Sequence, residues 1–397
     1  MPIHSPGRVT FDNLIKAPPM TQLQQSTESS HSNDSCTDWR SLICDPVTEP
    51  AELCKILQLP LSLVSTEAAS IQPLQVTRDY LSRIEPGNPD DPLLLQILPR
   101  HEELEAVPGF SNDPLDEAGC IKQIPPASHV ILQPGCSENE NFAHKTICRL
   151  PMLQKYPGRM LILATDRCAV HCRFCFRRHL SKKKSSNDSN RRFDTKHIRS
   201  TTDVLKNNEE ISDIREIILS GGDPLVLDDT GLDVILHYIK GLHHGNRVRL
   251  HTRMPVMLPE RVTPQLVEVL QNFRRHPTGG AVYIVLHVNH SNELSDKVIN
   301  AIASLVDAGI PVLSQTVLLR HVNDRFETLY DLFDKLASSR IIPYYLHQLD
   351  RVQGAAHFEV SATKGQVLIS KLAAALPGYA VPRYVREIPG ESKKKWL

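Results

Sequence analysis

The sequence predicts an α/β fold: a partial (β/α)6 barrel with a helical N-terminal extension. Between residues 160 and 350, short apolar and β-branched runs alternate with helix-like stretches at similar intervals, the pattern of parallel strands covered by helices. Each run also ends in polar residues. That suits a barrel, whose site is built from the loops after its strands. An open doubly wound sheet would gather such residues at one switch point instead.

In chain order the expected strands are "MLILAT" (160–165), "REIILS" (215–220), "RVRLHT" (247–252), "AVYIVLH" (281–287), "PVLSQTVLL" (311–319) and "PYYLHQ" (343–348), with helices over 228–241, 262–275, 293–308 and 325–338. The polar strand ends are a cysteine run, "GGDP" (221–224), "HTRMP" (251–255), "HVNH" (287–290), "RHVND" (320–324) and "HQLD" (347–350). Residues 1–38, rich in Ser, Asn, Thr, Gln and Pro, read as disordered. Residues 39–150 read as a helical and irregular region broken by prolines, 151–360 as the barrel, and 361–397 as a C-terminal helix with a terminal segment. "SKKKSSNDSNRR" (181–192) reads as a solvated loop.

Composition narrows the function. Lys plus Arg balance Asp plus Glu at 45 each, which argues against a nucleic-acid surface. No apolar run approaches the about 18 residues of a membrane span, and the first 20 residues lack an apolar signal core, so a cytoplasmic enzyme without membrane contact is expected. Nine cysteines in 397 residues do not form a disulfide framework. Six are scattered and read as ordinary thiols. Cys168, Cys172 and Cys175 cluster, and in a reducing compartment such a group binds metal more often than it pairs.

In "CAVHCRFCFRRH" (168–179) the cysteines are spaced Cys-x3-Cys-x2-Cys. His179 could complete a tetrahedral zinc site. Alternatively, three thiolates could hold a [4Fe–4S] cluster whose fourth iron stays open to a small chelating ligand. In "SGGDPL" (220–225), Gly221 and Gly222 would let a ligand approach the backbone, and Asp223 could accept a hydrogen bond from a ligand ammonium. A plain tight turn is the alternative.

The cysteine spacing, placed after the first strand of a βα series, resembles the radical S-adenosylmethionine (SAM) enzymes, and "SGGDPL" resembles their SAM-binding turn. "KYPGRMLILATDRCAVHCRFCFRRH", "SGGDPL", "HTRMPV", "HVNHSNE" and "LDRVQGAAHF" together resemble the lysine 2,3-aminomutase family. "EPGNPDDPLLLQIL" (85–98) and "VPGFSNDPLDE" (107–117) resemble its bacterial branch that supplies (R)-β-lysine for modifying translation elongation factor P. The resemblance implies an isomerase using a [4Fe–4S] cluster, SAM and pyridoxal 5′-phosphate (PLP). It would convert L-α-lysine to β-lysine through a PLP aldimine and a 5′-deoxyadenosyl radical, with electrons from a reductant protein such as flavodoxin or ferredoxin. A homo-oligomer is left open.

The family's site residues carry over to particular positions. In "REIPGESKKKWL" (386–397) alignment from Pro389 selects Lys394 as the PLP lysine, with Lys393 and Lys395 adjacent. Arg159 matches the PLP-phosphate arginine, with Lys155 as a second candidate, and Arg177 matches the arginine that grips the substrate carboxylate. Asp350 and Glu387 fall where the family places acids for the distant ammonium of lysine, and two acids disfavour glutamate. The Thr-Pro that usually follows the PLP lysine is absent, the segment before "KYPGR" is long, and its Cys120, Cys136 and Cys148 match no motif. A radical aminomutase for another amino acid such as glutamate, or a zinc-stabilised binding protein, are the competing functions.

Overall fold

The computed structural model describes residues 38–120, 152–179, 214–240, 247–276 and 280–397; the segments expected to be disordered (1–38) or a solvated loop (181–192), and Cys136 and Cys148, lie outside them but for Asp38. One sheet organises the chain: β1 (Met152–Leu153), β2 (Arg159–Thr165), β3 (Glu216–Gly221), β4 (Arg247–Thr252), β5 (Ala281–His287), β6 (Val312–Leu318), β7 (Ile342–Gln348), β8 (Arg383–Arg386) and β9 (Lys395–Trp396). Their spatial order equals their sequence order, so every neighbour is also the next strand in the chain. β2 to β8 run parallel, while β1 and β9 pair antiparallel at the two ends of the order. The sheet is therefore an open barrel with one parallel strand more than expected. β8 escaped notice because "RYVR" is short and carries an arginine at each end.

The covering helices start and stop where local chemistry dictates. In Pro264–Arg275, Thr263 caps the first turn by accepting from the Leu266 amide at 3.1 Å, proline sits at the start, and Leu266, Leu270 and Phe273 are buried on one face. Asp296–Asp307 repeats the arrangement with Ser295 as cap and Val298, Ile302 and Leu305 inward. Phe326–Ser338 buries Leu329, Leu332, Phe333 and Leu336. Ala362–Ala375 approaches β8 so closely that a Cβ on Gly365 would overlap the Tyr384 ring.

Strand alternation positions the site. In β4, Val248, Leu250 and Thr252 are buried, whereas Arg249 and His251 between them line a cavity. In β6, Val312, Ser314, Thr316 and Leu318 are buried, and Gln315 and Val317 face the same cavity. One face of the sheet thus packs on helices while the other encloses about 440 Å³.

Short helices at Trp39–Ile43, Pro50–Ile56, Thr66–Ile71 and Arg78–Leu81 pack onto the barrel, so Trp39, Leu53, Tyr80 and Ile97 belong to the same hydrophobic cluster as the sheet. No helix among the described residues is long and apolar enough to cross a membrane.

The N-terminal layer also supplies one carboxylate to the loop after β2. Arg173 donates from Nε and Nη2 to the two oxygens of Glu103, each at 2.7 Å, and Arg178 Nη2 donates to Glu103 Oε2 at 2.6 Å. All three side chains are essentially without solvent contact. Removing one member of a buried ion group strands the remainder. Glu103→Ala is therefore expected to cost about 3–5 kcal/mol of unfolding free energy, read as a lowered denaturant midpoint at unchanged slope.

Candidate active site

The cavity lies at the C-terminal ends of the parallel strands, and Cys168, Cys172 and Cys175 all line it. Their loop is held by backbone contacts from the N-terminal layer. Gln75 Nε2 donates to the Cys168 carbonyl at 2.5 Å, Gln72 Nε2 to the Cys172 carbonyl at 3.0 Å, and the Arg173 amide to the Gln96 carbonyl at 2.9 Å. Burial pushes the Cys168 thiol up, reinforced by Cys175, Asp223 and Cys172, and burial with Cys172 pushes Cys175 to about 11. Cys168 and Cys175 thus resist ionisation, and a cationic centre would turn them into thiolates.

Among the described residues no three Cys, His, Asp or Glu side chains are grouped closely enough to hold a single metal ion, whereas a cubane spreads its thiolates over separate irons. His179, the fourth ligand of the zinc alternative, does not line the cavity; its Nε2 lies 3.3 Å from the Gln353 carbonyl.

Gly221 and Gly222 border the same loop, but the close approach they permit is to the chain itself. A Cβ on Gly221, whose φ is +118°, would overlap the Thr165 carbonyl, and one on Gly222 the Arg167 carbonyl. The Gly222 amide donates to the Thr165 carbonyl at 2.6 Å, and the Asp223 amide to the Arg167 carbonyl at 2.8 Å. The expectation that Asp223 offers its carboxylate to a ligand ammonium meets a geometric difference. Thr252 Oγ1 and the amides of Leu225, Arg253 and Met254 already donate to it at 2.6–3.0 Å, which fills the four acceptor positions of a carboxylate. Asp223 ties the ends of β3 and β4 together beside the cysteines.

Across the cavity runs a chain of alternating charges. Arg177 donates through Nε and Nη2 to both oxygens of Glu117, at 2.7 and 2.9 Å, while its Nη1 reaches Ser220 Oγ at 2.9 Å. Lys155 bridges Glu117 at 3.0 Å and Glu387 at 3.3 Å. Lys394 donates to the other oxygen of Glu387. Burial opposes the charge on Glu387, yet Lys394 and Lys155 hold it down to about 2. β9 makes this pairing: Arg386 lies opposite Lys395, so the preceding lysine meets the following glutamate. Lys394 is half-buried and 5.9 Å from the Tyr345 ring centroid, whereas Lys393 and Lys395 are exposed.

Asp350 lies on the same wall, with no side-chain hydrogen bond among the described residues to offset its burial. Burial, with Glu387 nearby, pushes its carboxyl up to about 7 against the pull of Lys394 and Lys155. At the other end Arg159 is half-exposed, 3.6 Å from Glu216, which Arg249 also contacts at 2.8 Å. Among the described residues Arg249 Nε is buried without a partner, as are Nε2 of His251 and of His347. Burial holds both imidazoles neutral, His347 at about 3 and His251 well below its usual range.

A domain model of the Radical SAM superfamily matches residues 162–333, which include all three cysteines. The L-lysine 2,3-aminomutase of Escherichia coli (strain K12) is 37% identical over 360 residues, spanning 90% of this chain and 93% of that protein. The chain belongs to the L-lysine 2,3-aminomutase family. That of Haemophilus influenzae (strain ATCC 51907 / DSM 11121 / KW20 / Rd) is 34% identical over 90% of this chain and 94% of its own length, and that of Clostridium subterminale 33% over 90% and 77%. Membership makes the chain an isomerase and excludes the zinc-stabilised binding protein. Aminomutases of this family use a [4Fe–4S] cluster, SAM and PLP. The residues present fit such groups: three half-buried thiols for the cluster, and nitrogens of Arg249, His251 and His347 that are unpartnered among the described residues, in a cavity with Tyr344 and Tyr345 on its wall, for a polar aromatic cofactor.

Sequence reasoning missed Glu117, Arg249 and Arg383 as cavity residues. For Arg249 a signal existed: a charged residue between buried apolar neighbours in "RVRLHT". The titration of Asp350 gives a direct check. With aspartate carboxyl carbons labelled, one NMR resonance should titrate near pH 7, vanish in Asp350→Asn, and move to lower pH in Glu387→Gln, because a neighbouring negative charge is then gone.

Proposed function

We propose that the chain converts L-α-lysine to β-lysine, the R isomer, and that the product serves to modify elongation factor P, with a flavodoxin- or ferredoxin-type protein as electron donor. The observation that carries the lysine reading is the charge chain itself. Arg177, Glu117, Lys155, Glu387 and Lys394 alternate in sign across the cavity that the cysteines line. A ligand with a carboxylate at one end and an ammonium at the other can replace these internal partners without leaving a buried charge uncompensated. Lysine has both ends. Glutamate would put a second carboxylate against Asp350 and Glu387. The elongation factor P assignment rests on the resemblance of residues 85–98 and 107–117.

When bound, the cluster with SAM supplies the hydrogen-abstracting radical, and PLP supplies the carrier for the migrating nitrogen. The chain's own residues have these roles. Cys168, Cys172 and Cys175 ligate the cluster, and the turn of Gly221 and Gly222 borders the SAM position. Lys394 is the covalent anchor for PLP, and Arg159, with Arg249 and Arg383, holds its phosphate. Arg177 takes the substrate carboxylate through the guanidinium edge that Glu117 occupies here. Asp350 and Glu387 read the distant ammonium, and the neutral imidazoles of His251 and His347 offer hydrogen bonds without adding charge.

Anaerobic incubation with lysine, SAM, PLP and dithionite should yield β-lysine and 5′-deoxyadenosine; a β-amino acid from glutamate but not lysine would refute the substrate. Borohydride reduction and peptide mapping should find the pyridoxyl group on Lys394. Asp350→Asn should raise KM for lysine about 10- to 100-fold, in line with the loss of one charged hydrogen bond, with a smaller effect on kcat. In the parent enzyme KM should fall as pH rises through about 7, because Asp350 is then ionised, and the variant should lose that dependence.

A further inference from the structure

Four side chains have no part in the roles assigned above: Gln96 of "LLLQIL", Arg253 of "HTRMP", and Asn289 and Glu293 of "HVNHSNE". The fold brings them to one point behind the cysteines. Arg253 Nη2 donates to Gln96 Oε1 at 2.6 Å and to Glu293 Oε1 at 2.8 Å. Gln96 Nε2 donates to Glu293 Oε1 at 2.7 Å, the Asn289 amide to Glu293 Oε2 at 3.0 Å, and Asn289 Nδ2 to Gln96 Oε1 at 2.9 Å. Gln96, Asn289 and Glu293 have no solvent exposure, and Arg253 has 5%. The Arg253 amide is tied to Asp223, and its guanidinium lies 5.7 Å from the ring centroids of both Tyr80 and Phe174. Its Nη1 reaches the cysteine loop and donates to Cys172 Sγ at 2.7 Å.

From this placement we propose that Arg253 sets the reduction potential of the cluster held by Cys172, and that Glu293 moderates it. The proposal rests on the reading that the three cysteines hold that cluster. A hydrogen bond and a positive charge at a ligating sulfur stabilise the electron-richer, reduced state more than the oxidised one, and in a dry site little solvent screens the effect. Arg253 therefore raises the potential. The Glu293 carboxylate partly cancels the guanidinium charge and lowers it. Since the whole group is buried and mutually bonded, the cation cannot turn away from the sulfur without stranding Glu293.

The test is an anaerobic redox titration of the reconstituted iron–sulfur protein without added SAM, followed by the electron paramagnetic resonance of the reduced cluster, with iron and sulfide assayed on each sample. Arg253→Gln should make reduction about tenfold less favourable, a midpoint about 59 mV more negative for one electron. Glu293→Gln, which keeps the shape of the side chain, should shift the midpoint the other way. Arg253→Lys should retain most of the wild-type value. Opposite shifts from the two glutamine variants are not what a purely structural network would produce. Unchanged midpoints at full iron and sulfide content, or a negative shift in Glu293→Gln, overturn the proposal. If Arg253→Gln loses its cluster, Glu293→Gln and Arg253→Lys decide by the same criteria. Wild-type protein without iron and sulfide would instead refute the cluster reading itself.

Discussion

Two buried guanidiniums, on either side of Cys175 in sequence, share the single carboxylate of Glu103, and much of the site depends on that group. Desolvating a charge is expensive unless a counter-charge is held at hydrogen-bond distance. The cysteine loop can therefore occupy its position only when the N-terminal layer is docked. The same layer supplies Gln72, Gln75 and Gln96 to the backbone of the loop. The extension that precedes the barrel is thus part of the thiol site. Phe174, between the second and third cysteines, adds an apolar anchor against Phe358 and His287.

The cavity follows a second rule, charge neutrality in a place of low dielectric. Cations and anions of its wall pair in turn, from Arg177 through Glu117, Lys155 and Glu387 to Lys394. Asp350 stands outside this pairing, and its raised carboxyl expresses the energy that a bound cation would recover. A site built this way favours ligands whose own charges repeat the internal pattern. It rejects those that would leave two like charges facing each other.

The barrel puts these two rules side by side. Apolar outward residues of β4 and β6 seal the sheet against its helices, and the residues between them present arginine, histidine and glutamine to the interior. The turn of Gly221 and Gly222 packs directly on the backbone ahead of Cys168, and Asp223 joins that turn to Thr252 at the end of β4 and to Arg253 just after it. Thiol site and charge chain consequently share one cavity wall.

By itself the sequence determined the order of six parallel strands, the four long helices between them and the thiol group, because those depend on local spacing: side-chain period, capping residues, and cysteines within one loop. It also singled out Lys394, Arg177, Asp350 and Glu387 through resemblance. Only the tertiary structure decided who faces whom. That Glu117 would meet Arg177, that Thr252 would help saturate Asp223, and that Gln96, Arg253 and Glu293 would converge on Cys172 are contacts across 29 to 197 residues. Such pairings leave no periodic trace in a sequence, since they arise from the closing of the sheet and the exclusion of water from what it encloses.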